Sequence, residues 1–478
     1  MKKFLPKYSI WILILFFGIL YSVWVVNRHN HFLTDAVDLG IYDQPIWNLS
    51  QFRPPFSSIK NMWTWGDHVG WVILLLAPFY WLWSDARALL LLQVWIAVIA
   101  AWPVYQLAKE RLKNEFTSLS IAFVFLSFVG LQTALDYDFH LATLSVTPIA
   151  FTLYFMHKQK WVPYWVWFFL GMATKEDVPL VMLMVGLYVL VVLRKYKVGL
   201  ASILVSGIYY WVLTNKIIPY FKGGPFNYEQ FDPSLGIGTS VTELLLTTLT
   251  QPWKVLRVLV TPFLKVKTTA NLTGSYAFLP LLSPATFLLS LPIWAERFLN
   301  SLSQRWLIRF QYSASVDPIL AVGTILGIEN ILKIRAKFVK KISSNQIVVF
   351  LSVVVLAMNV FVILRTNGPM LRILNPQSYK WEERFDINYE LIRQIPPDAS
   401  VVAQSCFVPH LSHREKIYRF HEGVVEAQQP DYIILGIDEH SDPPYVEEQW
   451  QKLIADLKDM PEYEILYDDG RRLLFKRQ

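Results

Sequence analysis

The chain has 478 residues, of which 54% are hydrophobic, 15% aromatic and only 17% charged. Charged residues make up roughly 25% of an average soluble domain, so this composition excludes one large soluble globule and favours membrane-spanning helices. The formal charge of +7 comes from Lys and Arg in short gaps between apolar runs, which is typical of cytoplasmic loops and indicates no nucleic-acid partner. The single cysteine, Cys406, excludes an internal disulfide and a cysteine-based zinc site.

The first apolar run, Tyr8 to Val26, predicts a membrane span that stays in the protein. It is too long and too aromatic for a signal peptide, and it lacks a small-residue cleavage site. Lys2, Lys3 and Lys7 precede it, so we expect the N-terminus in the cytoplasm and residues 27–68 in a loop on the outer face.

This first outer loop gathers carboxylates where so apolar a chain has little reason to carry them. Asp35, Asp38 and Asp43 lie within one short run, and Asp67 closes the loop beside His68. The grouping predicts chemistry at the membrane surface, and the alternative is a solvated connection between two helices.

The next part of the chain alternates basic clusters with acidic or histidine-bearing motifs. Val69 to Trp83, which Pro78 interrupts, is expected to lie at the membrane interface. Spans are predicted at Ala86 to Ala108, Thr117 to Leu135, Leu141 to Met156, Trp161 to Ala173, Val178 to Leu193 and Gly199 to Ile218. Every basic cluster then faces the cytoplasm, and the outer face receives the motifs at residues 138–140 and 175–177.

Four further spans are predicted at Trp253 to Leu264, Tyr276 to Trp294, Val316 to Leu332 and Gln346 to Leu364. Lys265 and Lys267 are expected in the cytoplasm between the first two, and the basic cluster Lys333 to Lys341 after the third. The sequence thus predicts a polytopic α-helical membrane protein with about 11 transmembrane helices, and a membrane domain over residues 1–365.

Long apolar runs stop after residue 365, and short strand patterns alternate with polar helices. Strands are expected near Ser400 to Gln404, Lys416 to Phe420 and Asp431 to Leu435, an amphipathic helix at Tyr445 to Met460, and a hairpin at Tyr463 to Lys476. Residues 366–478 therefore predict a small soluble α/β domain outside the cytoplasmic membrane.

Four motifs in fixed order give the chain a family resemblance: Asp38-Leu39-Gly40-Ile41-Tyr42-Asp43-Gln44, Gly66-Asp67-His68, Asp138-Phe139-His140 and Lys175-Glu176-Asp177. The tail adds Pro409-His410-Leu411-Ser412-His413-Arg414. Together they resemble a prokaryotic family of multipass proteins that is known only as a domain of unknown function, the predicted membrane proteins.

The layout is also similar to the GT-C superfamily of glycosyltransferases. Those polytopic enzymes carry an acidic motif in the first outer loop and take sugars from polyprenyl-phosphate donors. The resemblance implies a GT-C-like fold, Asp38 as the acid of that motif, and membrane lipids and a polyprenyl-phosphate-linked sugar as partners. Gln311 departs from the expected pattern, which has His before Tyr312.

Glycosyl transfer to a hydroxyl needs a carboxylate to take a proton, and cations or a metal to hold the lipid phosphate. Asp38 is the predicted base, with Asp43 as a second catalytic residue. Lys175, Arg297, Arg305 and Arg309 are outer-face cations, although Lys175 equally suits a structural ion pair. The candidate substrate-binding residues are Tyr42, Gln44, Asp67, His68, Asp138, His140, Lys175, Glu176, Asp177, Arg309 and Tyr312.

Asp67, His68, Asp138 and His140 are also candidate ligands of a divalent metal, although their spacing matches no fixed motif. The alternative is that both histidines cap helices or pair with acids. Other functions remain open, namely a transporter or flippase of a lipid-linked or small polar solute, or a non-catalytic membrane subunit. Ionisable residues at span ends, without internal repeats, favour surface chemistry over transport.

Overall fold

The computed structural model describes residues 5–226, 232–338, 343–437, 439 and 447–478. In these ranges, six helices are long and apolar enough to cross a membrane: Tyr8–Asn30, Arg87–Leu112, Glu115–Tyr137, Tyr196–Lys222, Gln311–Ala336 and Ser344–Arg365. Each coincides with a predicted span. Val178–Val191 is a shorter apolar helix, and two more predicted spans form helices of 13 and 12 residues at Val146–Lys158 and Trp161–Met172. The total of about eleven spans remains a prediction.

The helices follow one another as Leu5–Asn30, Ile41–Ser50, Thr64–Asp67, Ile73–Leu76, Arg87–Ile99, Ala101–Leu112, Glu115–Leu126, Val129–Tyr137, Leu141–Leu144, Val146–Lys158, Trp161–Met172, Val178–Val191, Tyr196–Val212, Ile218–Lys222, Val241–Thr250, Pro252–Val260, Phe263–Gly274, Pro284–Phe287, Leu291–Phe298, Asp317–Phe338, Ser344–Arg365, Met370–Ile373, Glu383–Arg393, Val408–Leu411, Val424–Gln428 and Glu447–Lys458. Two of the breaks between consecutive helices lie next to prolines. Pro103 and Pro148 lack the N–H that would bond the carbonyl four residues earlier, and the preceding helices end at Ile99 and Leu144.

Ion pairs join the basic clusters at one end of the helix bundle. Lys158 Nζ lies 2.8 Å from Glu110 Oε2, and Arg111 and Lys333 both reach Glu329, at 3.7 and 3.5 Å. The acidic motifs lie at the other end of the same helices. This separation matches the one-sided charge pattern, while the membrane orientation stays a prediction. Met1, Lys2, Lys3, Lys340 and Lys341 fall outside the described residues.

The predicted spans Trp253 to Leu264 and Tyr276 to Trp294 are wrong in their boundaries. Phe263–Gly274 and the turns after it run as one arm to Leu282, whose carbonyl accepts a hydrogen bond from Asn330. Lys265 was expected in the cytoplasm beyond the first span. It instead donates to the carbonyl of Phe298 at 2.7 Å, at the end that carries the acidic motifs. The chain then returns through the short helices Pro284–Phe287 and Leu291–Phe298, which are broken at prolines. A hydropathy pattern does not predict the path of such a broken segment.

Residues 69–83 form two short turns, Ile73–Leu76 and Ala77–Trp81, rather than a span. Leu75, Trp81 and Leu82 are exposed there. This agrees with the expected interfacial position, because exposed aromatic and aliphatic side chains suit the boundary between headgroups and hydrocarbon.

The C-terminal part contains a five-stranded sheet with strands Val401–Ala403, Ile417–Arg419, Tyr432–Gly436, Tyr463–Asp468 and Arg472–Arg477. Their spatial order is second, first, third, fifth and fourth. The first three strands are parallel, and the last two form the predicted antiparallel hairpin beside the third. The amphipathic helix occupies Glu447–Lys458, and Tyr445, where we expected it to begin, lies outside the described residues.

The sheet packs against the first outer loop rather than standing apart from it. One face of its core includes Phe32 and Ala36 together with Phe407 and Val408. Ser58 Oγ donates to the carbonyl of Ile417 at 2.6 Å and accepts from its amide at 2.9 Å. The C-terminal sheet therefore supports the loop that carries the acidic motif.

Candidate active site

A cavity of about 750 Å³ lies where the sequence motifs meet. Five segments of the chain contribute predicted site residues to its wall, because the helix ends bring them to one side of the bundle. The predicted residues that line it are Asp38, Tyr42, Asp67, His68, His140, Lys175, Glu176, Asp177 and Tyr312.

Asp38 sits in an irregular turn, Ala36–Gly40, which we call the aspartate turn. Its φ is 75° and its ψ is −80°, a conformation that costs a non-glycine residue free energy and recurs at functional sites. Gly40 has an ordinary helical φ of −61°, so a positive φ does not account for the glycine there. Gly40 is instead crowded, because an added Cβ would lie 3.0 Å from Val408 Cγ1.

The Asp38 carboxyl is buried at 7% exposure and faces the cavity. Burial raises its pKa to about 7, although a hydrogen bond from Tyr137 and the positive charge of His68 oppose that rise. Asp38 caps no helix, since the next helix begins at Ile41 without a side-chain cap. A carboxyl that titrates near neutral pH is suited to accept a proton from a substrate hydroxyl.

His140 lies beside Asp38 with Nε2 3.8 Å from Asp38 Oδ1. Its Nδ1 accepts a hydrogen bond from the Ala142 amide, as the capping alternative expects. Burial and the charge of Lys175 hold its pKa well below the usual value, so the ring is neutral. With Nδ1 as acceptor, the ring proton is on Nε2 and faces the Asp38 carboxyl.

His68 pairs with Glu176 through a 2.7 Å contact between Nδ1 and Oε1. Burial alone would lower the pKa of His68, but the adjacent charges of Glu176 and Asp67 raise it above the usual value. The second oxygen of Glu176 accepts from the Val69 amide at 3.2 Å. This pair joins the first outer loop to the Lys175 motif, and both side chains lie on the cavity wall.

Lys175 is buried and surrounded by acids. Its Nζ lies 3.0 Å from Asp177 and 3.9 Å from Glu296, and these carboxylates raise its pKa although burial opposes them. Arg305 donates to Glu296 at 2.7 Å and stacks over the Tyr312 ring at 5.5 Å. The structural ion pair anticipated for Lys175 is therefore present, and the same ammonium group lines the cavity.

Sequence reasoning omitted Lys60, Lys222 and Glu296 from the site, although all three line the cavity. Lys60 pairs with Asp67, and no motif in the sequence signals that pair. Arg305 was considered only as one outer-face cation among several. Its position depends on the fold of the broken arm that precedes it.

Four predicted residues lie away from the cavity. Asp43 accepts hydrogen bonds from Tyr80 and Ser412, and Gln44 Nε2 donates to Ser58 Oγ at 2.8 Å. The other two are Asp138, which pairs with Arg28 at 2.8 Å, and Arg309, which is exposed. Arg297, also considered as a phosphate ligand, is fully buried and donates to the carbonyls of Arg305 and Leu307.

The four metal-ligand candidates do not form a set of metal ligands, although Asp67, His68 and His140 all line the cavity. Asp67 contacts Lys60, His68 contacts Glu176, and Asp138 contacts Arg28. Within the described ranges, no group of three or more His, Cys, Asp or Glu side chains could hold a metal ion. A divalent metal therefore remains a prediction from the sequence, and the described residues provide no set of ligands for it.

Two structures of ArnT from Cupriavidus metallidurans are similar to this chain. The apo structure gives a TM-score of 0.52, and the structure bound to undecaprenyl phosphate gives 0.50. Each comparison covers 97% of both chains at 12% sequence identity. At this identity the similarity shows only that the chains share a GT-C-like membrane fold.

No curated protein sequence matches the chain. Residues 28–469 match the family described as Predicted membrane protein (DUF2079), and that range includes every motif of the cavity. The chain therefore belongs to the DUF2079 family of predicted membrane proteins.

Proposed function

We propose that this protein is a membrane glycosyltransferase that transfers a sugar from a polyprenyl-phosphate donor to an acceptor hydroxyl. The observation that carries the proposal is that two chemically different kinds of side chain line one cavity. Asp38 and the paired cations line it together with the apolar side chains of Leu180, Phe226, Leu244 and Leu299. A lipid-linked sugar combines the same two kinds of group, a polar sugar phosphate and an apolar chain.

The reaction assigns one role to each kind of group. The Asp38 carboxylate takes the proton of the acceptor hydroxyl while the oxygen of that hydroxyl bonds to the anomeric carbon of the sugar. The bond from that carbon to the phosphate oxygen breaks, and polyprenyl phosphate leaves with the electron pair. Lys60, Lys175 and Arg305 line the cavity and can donate to the phosphate oxygens. Undecaprenyl phosphate in a structure of similar fold supports this donor class.

We place the cavity on the outer face of the cytoplasmic membrane, with the N-terminus inside and the C-terminal domain outside. The basic ion pairs at the far end of the bundle support this orientation. Labelling of Cys406 cannot test it, because that thiol is fully buried. A tag placed after Gln478 can, since external protease should remove it from spheroplasts, and protection of the tag would reverse the topology.

The function is tested with the protein reconstituted in nanodiscs and supplied with lipid-linked sugars prepared on a polyprenyl phosphate. We expect release of polyprenyl phosphate, detected by mass spectrometry, that depends on both the protein and an acceptor. Empty nanodiscs and protein inactivated by heat are the controls. If vesicles show the lipid-linked sugar crossing the bilayer unchanged, the transporter alternative is correct and the transferase proposal is wrong.

A further inference from the structure

Two short helices that the proposed reaction does not use form a compact surface element beside the cavity. Val241–Thr250 has 10 residues and Pro252–Val260 has 9, and we call the pair the surface hairpin. At 1.5 Å per residue each helix is only about 15 Å long, half of the ~30 Å hydrocarbon core. Neither helix can cross a membrane alone, although part of this sequence reads as a span.

One side of the surface hairpin exposes large apolar side chains. Leu249 is 80% exposed, Trp253 63% and Leu256 60%. Leu256 and Val260 follow Trp253 by three and seven residues, a spacing that puts them on one face of the second helix. Leu245 and Leu246 extend the same kind of surface on the first helix. So much exposed apolar area on short helices needs an apolar environment.

Two basic residues border this apolar stripe. Lys254 and Arg257 are three residues apart and exposed, so they share the flank of the second helix next to Leu256 and Trp253. Neither forms an ion pair with any residue in the described ranges. A stripe of Trp and Leu beside a basic flank is the pattern of a helix that lies in the headgroup region of an anionic bilayer.

The other side of the surface hairpin packs on the protein next to the cavity. Val255 is buried in a small core with Ile237 and Leu299. Leu244 belongs to the same packing and also lines the cavity, as does Leu299. The hairpin thus contributes Leu244 to the cavity wall and exposes its apolar stripe on another side.

We propose that the surface hairpin docks on the anionic phospholipids of the leaflet on the cavity's side. Its apolar stripe enters the boundary between headgroups and acyl chains, about 5–10 Å deep. Lys254 and Arg257 bind the lipid phosphates, and Leu244 closes the cavity toward the lipid. The inference concerns membrane contact and does not depend on glycosyl transfer.

The test uses spin labels on single introduced cysteines, because Cys406 is buried and labelled wild type measures any background. Leu249→Cys and Leu256→Cys report on the stripe. Thr248→Cys is the matched control, because Thr248 is exposed and lies about 100° around the first helix from Leu249. In nanodiscs with anionic lipid, the two stripe labels should collide severalfold more with oxygen than with a water-soluble nickel chelate. The control label should show the reverse preference.

Charge is tested by repeating the Leu256→Cys measurement with Lys254→Gln and Arg257→Gln. We expect the label to be shallower in this variant, and replacement of anionic by zwitterionic lipid to have the same effect on the wild-type hairpin. Circular dichroism and gel filtration control for folding. Equal nickel access at residues 248 and 256 would overturn the docking, and a depth independent of both charge changes would overturn the anionic-lipid contact. Either result leaves the transferase proposal untouched.

Discussion

Asp38 and Asp43 stand five residues apart in the same acidic motif, yet they face different parts of the molecule. Asp38 precedes the helix Ile41–Ser50 and lines the cavity. Asp43 lies within that helix, is fully buried, and contacts the C-terminal domain. Asp38 lies in the aspartate turn and Asp43 lies on the helix after it, so the two side chains need not share an environment.

The partners of the two carboxylates explain why only one is suited to chemistry. Asp43 accepts from Tyr80 and Ser412, and its Oδ2 lies 3.1 Å from His413 Nε2. Asp38 has a hydrogen bond from Tyr137 and open space in the cavity. A carboxylate whose acceptor sites are filled holds structure together, whereas one that faces a cavity can take a proton. Asp43 therefore joins the helix Ile41–Ser50 to the C-terminal part of the chain at Ser412, and its filled acceptor sites do not suit the second catalytic role expected from the sequence.

Asp38→Asn should have the largest effect on transfer. The amide keeps the size of the side chain but cannot accept the proton, so the rate should fall by about 10²-fold or more. The fold should persist, as measured by the thermal midpoint and gel filtration. Polyprenyl phosphate release by wild type and variant in the same nanodiscs provides the comparison, and full activity of the variant would exclude Asp38 as the base.

Asp43→Ala should act mainly on stability. Removal of the carboxylate leaves the hydroxyl of Tyr80 without its buried acceptor, and that of Ser412 with only the Pro409 carbonyl, at a cost of about 2 kcal/mol. We expect a lower thermal midpoint and faster proteolysis of the C-terminal domain. Transfer per folded molecule should fall far less than in Asp38→Asn. An equal loss of transfer with unchanged stability would contradict the division of roles between the two acids.

The pH dependence of transfer should report the pKa of Asp38, which burial raises to about 7. Below that pH the carboxyl is protonated and cannot act as a base, so the rate should fall about tenfold per pH unit. Because the folded pKa exceeds the unfolded value, this group makes folding less favourable as pH rises from about 4 to 7. An acid limb that persists unchanged in the residual activity of Asp38→Asn would assign the titration to another group.

Gly40→Ala should have the smallest effect on stability. It tests the contact between the aspartate turn and the C-terminal part of the chain. The new methyl group would lie 3.0 Å from Val408 Cγ1 and 3.3 Å from Ile59 Cδ1, which predicts about 1 kcal/mol of destabilisation by overpacking. Val408→Ala removes the closer contact, so the double variant should be more stable than the sum of the single changes predicts. Additive thermal shifts would show that the aspartate turn does not depend on that contact.

The sequence alone determined the class of protein, because long apolar runs and one-sided basic clusters have few other physical causes. It also identified the strands of the C-terminal sheet from their short β-branched runs, and it singled out the motifs of Asp38, His68, His140 and Lys175. Local periodicity and charge carry that information without any knowledge of contacts between distant residues.

Only the tertiary structure decided which polar residues share a cavity. Lys60 and Glu296 join the site through contacts over long sequence distances, and Asp43 leaves it through contact with Ser412. The broken arm after Phe263 was misplaced for a related reason: its prolines interrupt the hydrophobic pattern, and its path is set by packing on the neighbouring helix. A carboxylate's neighbours fix both its pKa and its role, and those neighbours are chosen by the fold.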